Sequence, residues 1–247
     1  MEYGLQLYSL RDVTKNSLED GIRIAAGAGY KFVEYAGFFG NPAEKVAEWQ
    51  EKYGVSCSGT HSPLDDLVPE KLEEVIRYHS IIGNRNYIMP GADLSTPEKL
   101  LRFCRIVNAA QPVLAEAGIS LGYHNHSHEF RLMPWGSTIH SEIELRTKLD
   151  FELDTFWAFN AGADPVMTLE RLGDRVKIIH LKDGFRGGKG TALGEGEAPV
   201  ETVRRYCIDH GLLMVVESEG LDPTGPLEVG RCIEYLRGLD ASEESRS

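Results

Sequence analysis

Short runs with strand character alternate with longer amphipathic runs eight times along this chain, and that strict order constrains its fold more than any other feature. The strand-like runs read near Gly4–Tyr8, Phe32–Tyr35, Val55–Thr60, Asn86–Met89, Ile119–His124, Phe151–Asp154, Val176–Leu181 and Leu212–Glu217. Helical runs follow at about Ser17–Ala28, Pro42–Tyr53, Pro69–Ile82, Thr96–Ala117, Thr138–Lys148, Pro165–Leu172, Pro199–His210 and Pro226–Leu239. Their ends carry fitting chemistry. Ser17 offers an oxygen to a free backbone N–H, prolines open first turns, and Gly83 and Gly118 stop two helices. Eight strand–helix units in series predict an α/β fold, a single (β/α)8 TIM barrel over residues 1–241, with an open doubly wound sheet as the alternative. The length of 247 residues suits one such barrel. The polar residues 242–247 are expected to form a disordered tail.

Charge and composition exclude several function classes. The formal net charge of -12 argues against a nucleic-acid partner, which requires a basic face. No apolar run is long enough to cross a bilayer, and the N-terminal MEYGLQLYSL lacks the basic and apolar regions of a secretory signal, so a cytoplasmic location is expected. Cys57, Cys104, Cys207 and Cys232 form no CxxC pair and read as reduced, packed cysteines. Composition leaves the oligomeric state open, a homo-oligomer included.

In a parallel barrel, catalytic groups stand at the C-terminal ends of the strands. Four consecutive strands here end in acids, imidazoles or a lysine. The fifth runs into Gly122–Phe130 (GYHNHSHEF), the sixth ends Glu152-Leu153-Asp154, the seventh His180-Leu181-Lys182-Asp183, and the eighth Glu217-Ser218-Glu219. Strand side chains alternate between faces. Glu152 with Asp154, His180 with Lys182, and Glu217 with Glu219 therefore point to the barrel axis, while Leu153, Leu181 and Val216 point to the helices. A lone strand-end Asp is usually a turn former or cap, and a lone His is usually structural. Asp154, His180 and Glu217 together are better explained by a divalent cation, because several ionisable groups near one axis need a partner. Asp164, before Pro165, reads as a cap, and the acidic run Asp240–Glu244 as solvated surface. The glycine-rich stretch Gly184–Gly196 reads as a mobile loop over the site rather than a phosphate cradle. Thr60-His61 either lines the pocket or caps a turn.

The strings LQLYSLRD (Leu5–Asp12), GYHNHSHEF (Gly122–Phe130), IIHLKDG (Ile178–Gly184), GEG (Gly194–Gly196) and VVESEG (Val215–Gly220) resemble the sugar phosphate isomerase/epimerase family, also described as xylose isomerase-like TIM barrels. The resemblance spans nearly the whole chain. It identifies a superfamily that includes sugar epimerases, hydroxypyruvate isomerases, inosose and 3-dehydroshikimate dehydratases, and endonuclease IV. It implies one divalent metal, Mn, Mg, Co or Zn, held by a Glu, an Asp, a His and a second Glu. Asp154, His180 and Glu217 match the last three positions. At the first, many relatives carry glutamate where this chain has His124. Glu129 is the expected ligand, reaching back from the loop, with His124 or His126 as alternatives.

These residues suit removal of a proton from carbon next to a carbonyl, with a metal-stabilised enediolate as the intermediate. The expected function is a metal-dependent sugar or polyol isomerase or epimerase. Glu217 is the first candidate for the base and Glu129 the second. Lys182, His61, His124 and His126 are the candidate substrate-binding groups. Lys182 either stabilises an oxyanion or pairs with Asp183 or another acid. The alternatives are a dehydratase of inosose or dehydroshikimate type, a non-catalytic sugar-binding barrel, and a nuclease, which the acidic charge disfavours.

Overall fold

The computed structural model of the protein describes residues 1–245. Eight parallel strands close into a barrel: β1 (Gly4–Gln6), β2 (Phe32–Tyr35), β3 (Ser56–His61), β4 (Asn86–Met89), β5 (Ser120–His124), β6 (Asp150–Asp154), β7 (Val176–Leu181) and β8 (Leu213–Val216). Each pairs with its sequence neighbours, and β1 closes the ring on β8 through Gly4 opposite Val215. The outer layer is α1 (Leu18–Ala28), α2 (Ala43–Tyr53), α3 (Pro69–Ile81), α4 (Pro97–Glu116), α5 (Ile139–Arg146), α6 (Pro165–Leu172), α7 (Val200–His210) and α8 (Gly225–Glu244). The closed ring excludes the open sheet. Ser17 and Asp164 cap α1 and α6 by accepting from Asp20 N and Met167 N. Among the described residues no helix is long and apolar enough to cross a membrane, and the four cysteines are free.

Strand alternation sorts the side chains. Leu5, Val33, Tyr123, Leu153, Leu181 and Val216 join the large apolar layer between barrel and helices. Ile88, Ile178 and Val215 form a separate apolar plug. Glycines make room for it: a Cβ on Gly4 would lie 2.9 Å from Val215 Cγ2, and one on Gly59 3.0 Å from Ile88 Cδ1. Two and four positions beyond Ile178 stand His180 and Lys182, and beyond Val215 stand Glu217 and Glu219, so on β7 and β8 the barrel changes from oil to charge within a few residues.

Three sequence expectations change here. The last helix runs through Glu244 rather than ending at Leu239, and so takes in the first residues of the expected tail, of which Arg246 and Ser247 lie outside the described residues. The acidic run is not simply solvated. Asp240 accepts from Tyr3 Oη (2.8 Å) and pairs with Arg204, whose side chain is 2% exposed and whose Nη1 donates to Glu243 (2.9 Å). That pairing extends the helix and ties α8 to α7 and to the chain start. The stretch after β7 is anchored: Asp183–Gly184 pairs antiparallel with Gly190–Thr191, and the Asp183 carboxylate holds the loop beyond.

Candidate metal centre and active site

His124 ends β5, Asp154 ends β6, His180 lies on β7, and Glu217 directly follows β8. Adjacent registers bring them together: His124 pairs with Glu152, Asp154 with His180, and Val215 with His180. All four are buried, and one donor atom from each lies within 4.8 Å of the others. His124 Nε2 is 3.5 Å from Asp154 Oδ2, and His180 Nδ1 is 3.3 Å from Glu217 Oε2. Two ligands about 2.0–2.1 Å from a tetrahedral ion stand roughly 3.3–3.4 Å apart, so both separations fit neighbouring ligands of one ion. Both ring nitrogens of His124, Asp154 Oδ2 and His180 Nδ1 are buried without a hydrogen-bond partner. Buried polar atoms are rarely left so, and the two-nitrogen, two-oxygen donor set suits a divalent ion such as zinc, cobalt or manganese. The residues fit a metal. Asp154 has a second role, because its Oδ1 accepts from Trp157 N at 2.7 Å and caps a short helix, Thr155–Asn160, absent from the sequence reading.

Below this centre is a second polar layer that strand-end reasoning largely missed. Glu34 on β2 accepts from Gln6 Nε2 at 2.5 Å. His61 Nε2 lies 3.0 Å from Glu34 and 2.8 Å from Glu152, and His180 Nε2 lies 3.1 Å from Glu34 and 3.3 Å from Glu152. Two imidazoles and two carboxylates thus alternate around a closed ring of contacts. Burial alone would raise the Glu34 carboxyl, but the charges of His180 and His61 hold it well below the usual range. Glu152, buried beside Glu34, is pushed up to about 8. Burial opposes charge on His61, yet Glu34 and Glu152 raise it to about 9. Burial likewise opposes charge on His180, and Glu152, Glu34 and Glu217 raise it well above the usual value. The acids draw positive charge to that ring, as a proton or, at Nδ1, as a cation. His124 is held neutral by burial and by the neighbouring His180 and His61, which leaves it a lone pair for a metal.

Lys182 Nζ lies 3.0 Å from Glu217, 3.1 Å from Glu219 and 3.6 Å from Asp154, and 4.7 Å from the Trp157 ring centre. Its partners are these acids and not Asp183. Burial opposes its charge, but Glu217, Asp154 and Glu219 keep it protonated. Burial also opposes the charge of Glu217, which Lys182 and His180 hold well below the usual range. His61 is 10% exposed and lines a cavity of about 440 Å³ with Phe38, Ser62, Tyr78 and His79; none of the four metal-facing residues lines it. Thr60 turns away, accepting from Ser62 Oγ and Asn84 Nδ2.

The structure does not bring Glu129 to the other expected ligands. The turn Ser127–Phe130 folds its carboxylate back on its own loop, where it accepts from Tyr123 Oη (2.9 Å) and His126 N (2.8 Å). Its metal-competent neighbours are His126 and His128, a group apart from the four-donor centre. The nearby imidazole of the fifth strand is His124, whose ring is 4.6 Å from that of His180 and 5.0 Å from that of His126. Glu34 and Gln6 had one legible signal: each is a polar residue between apolar neighbours in a short strand run.

Comparison with known proteins agrees with this architecture. The profile of the xylose isomerase-like TIM barrel family matches residues 22–238. A sugar phosphate isomerase/epimerase from Parabacteroides distasonis ATCC 8503 is 25% identical with a TM-score of 0.81, over 95% of this chain and 97% of that one. The probable 3-DHS dehydratase AsbF from Bacillus anthracis is 14% identical with a TM-score of 0.73, over 96% and 99%. The IOLI protein, solved with a zinc atom, is 10% identical with a TM-score of 0.72, over 95% and 96%. No curated protein matches the sequence. A profile match over most of the chain, on a closed eight-stranded parallel barrel, places this protein in the xylose isomerase-like TIM barrel family.

Proposed function

We propose that the protein is a metal-dependent isomerase or epimerase of a sugar or sugar-like polyol, with one divalent ion held by His124, Asp154, His180 and Glu217. The observation that carries this reading is the convergence of four buried donors at the strand ends, three of which, His124, Asp154 and His180, bring atoms that have no hydrogen-bond partner. The isomerase/epimerase name of the Parabacteroides protein and the zinc in the IOLI structure support it.

When bound, the ion would supply positive charge beside the reacting carbonyl. The chain's own groups do the rest. Glu217 takes a proton from carbon next to the carbonyl and returns it; Lys182, at 3.0 Å, keeps that carboxylate ionised between turnovers. Protonation of the same carbon on its opposite face, by solvent or an acid other than Glu217, is epimerisation; return by Glu217 to the neighbouring carbon, with the hydroxyl proton passing from one oxygen to the other, is isomerisation. Trp157, against Lys182, shields the ion pair from water. His126, with its ring 5.0 Å from that of His124, stands beside the centre in reach of sugar hydroxyls, and His61 opens from the layer below onto its own cavity.

The test is metal analysis of purified protein, followed by incubation with a panel of ketoses in deuterated solvent. About one equivalent of zinc, cobalt or manganese per chain is expected, with deuterium entering at carbon next to the carbonyl and chelator abolishing exchange. Exchange that persists in metal-free protein would refute the metal reading. Loss of water from the substrate, instead of rearrangement, would place the protein with the dehydratases.

A further inference from the structure

We propose that the substrate of this site carries no phosphate, because the loops that hold phosphate in many barrels are here filled by the chain's own carboxylates, Asp183 and Glu228. The inference deepens the sugar-enzyme reading and rests on it for the identity of the site.

TIM barrels that bind phosphate do so with backbone N–H groups of the loops after the seventh and eighth strands. In this chain the loop after β7 has that character, with glycines at 184, 187, 188, 190, 194 and 196. Its N–H groups already hold an anion. Asp183 Oδ1 accepts from Gly184 N (2.8 Å) and Ala198 N (3.0 Å), and Oδ2 accepts from Gly194 N (2.9 Å) and Gly196 N (3.0 Å). Asp183 is 2% exposed. A Cβ on Gly196 would fall 2.3 Å from Asp183 Oδ1, so the glycine is needed for the backbone to close on this carboxylate, with no ligand required to explain it.

The loop after β8 repeats the device with a different residue. Glu228, in the first turn of α8 and 1% exposed, accepts from Gly220 N (3.0 Å), Asp222 N (2.5 Å) and Ser218 Oγ. A Cβ on Gly220 would lie 2.8 Å from Glu228 Oε1. Between the two loops the ammonium of Lys182 is occupied by Glu217 and Glu219. Arg11, at the same end, donates to the carbonyls of Tyr8 and Glu219. A phosphate dianion approaching here meets carboxylates where other barrels offer N–H groups, and like charges at short range repel. A neutral polyol meets no such barrier. Asp183 and Glu228 are therefore specificity-determining residues: they fix both loops and close them to anions.

The first arm of the test needs no substrate. Metal-stripped wild-type protein is titrated with millimolar inorganic phosphate and followed by ³¹P line width and melting temperature. No change is expected, and saturable phosphate binding would overturn the proposal. The second arm uses Asp183→Ala, which should melt lower than wild type and be restored by millimolar phosphate or sulfate. A folded variant that neither anion stabilises would overturn the claim that the loop is an anion nest. The third arm compares exchange of D-fructose and fructose 6-phosphate by metal-loaded wild type. A preference for the free sugar of about tenfold or more is expected, and preference for the ester would overturn the proposal. Failure of the sugar-enzyme reading would appear separately, as absent metal and no exchange with any ketose, while the phosphate titration still decides whether the loops take an anion.

Discussion

Nε2 of His180 lies 3.1 Å from Oε1 of Glu34, a contact across the barrel between two wholly buried side chains. This fixes the use of the ring. Nε2 faces Glu34 and Glu152 below, so the Nδ1 lone pair is turned towards Glu217 and the metal-facing donors above. A carboxylate behind a ligating imidazole fixes its tautomer and strengthens it as a ligand.

Glu34→Gln keeps the size of the side chain and removes the charge. Metal affinity should fall by about 10–100-fold, measured by competition with a chelator of known affinity. The barrel should stay folded by circular dichroism, since the amide can still meet Gln6 and His61. Unchanged affinity in a folded variant would show that Glu34 does not act through His180.

His124 and Glu129 separate cleanly by substitution. His124→Ala removes a proposed ligand and should weaken metal binding by at least roughly tenfold, the lower end of the effect seen when a ligand's supporting partner is removed. Glu129→Gln should leave metal binding intact and lower unfolding stability by about 1–3 kcal/mol, because a buried acceptor of two hydrogen bonds is altered. The reverse pattern, metal lost with Glu129→Gln and kept with His124→Ala, would return the ligand role to Glu129.

The barrel and its polar end were legible in the sequence because alternation in β6, β7 and β8 dictates which face a residue takes, and Leu153, Leu181 and Val216 marked the outer face. Other features depend on contacts that no local pattern encodes. Glu129 lies five positions after His124, and spacing does not reveal that the turn at Ser127–Phe130 returns the carboxylate to its own loop. Glu34 meets His180 across 146 positions of sequence. Asp240 reads as surface until Arg204, on another helix, is seen beside it. The glycines of Gly184–Gly196 read as mobility because the carboxylate that pins them, Asp183, looks like one more strand-end acid.

Glu217 carries the proposed proton transfer. Glu217→Gln should lower exchange of the substrate's proton with deuterated solvent by about 10²–10⁴-fold, the usual contribution of a general base. Turnover should fall in parallel. Glu217 is also a proposed ligand, so the comparison is made with excess metal and with occupancy measured. Undiminished exchange in a metal-loaded variant would place the base elsewhere, with Glu219, 3.1 Å from Lys182, the next to test.

Stability towards acid should depend on a histidine outside the site. His79 is 4% exposed, and its Nδ1 faces Asn84 Nδ2 at 2.8 Å. Burial depresses its pKa to about 4, against about 6.5 in an unfolded chain. The folded form therefore binds fewer protons than the unfolded form between these values, and stability rises with pH across that window. The contribution is fully present above about pH 6.5 and is lost as pH falls towards about 4. By about pH 5 the loss should reach about 2 kcal/mol relative to about pH 7.5. His79→Gln removes the titration while keeping a side chain that can meet Asn84. Urea unfolding of wild type and variant at about pH 5 and about pH 7.5 checks this, the difference between the two proteins cancelling the shared carboxylates. Wild type should lose about 2 kcal/mol more than the variant on acidification. Equal losses in both would show that His79 is free to protonate in the folded barrel.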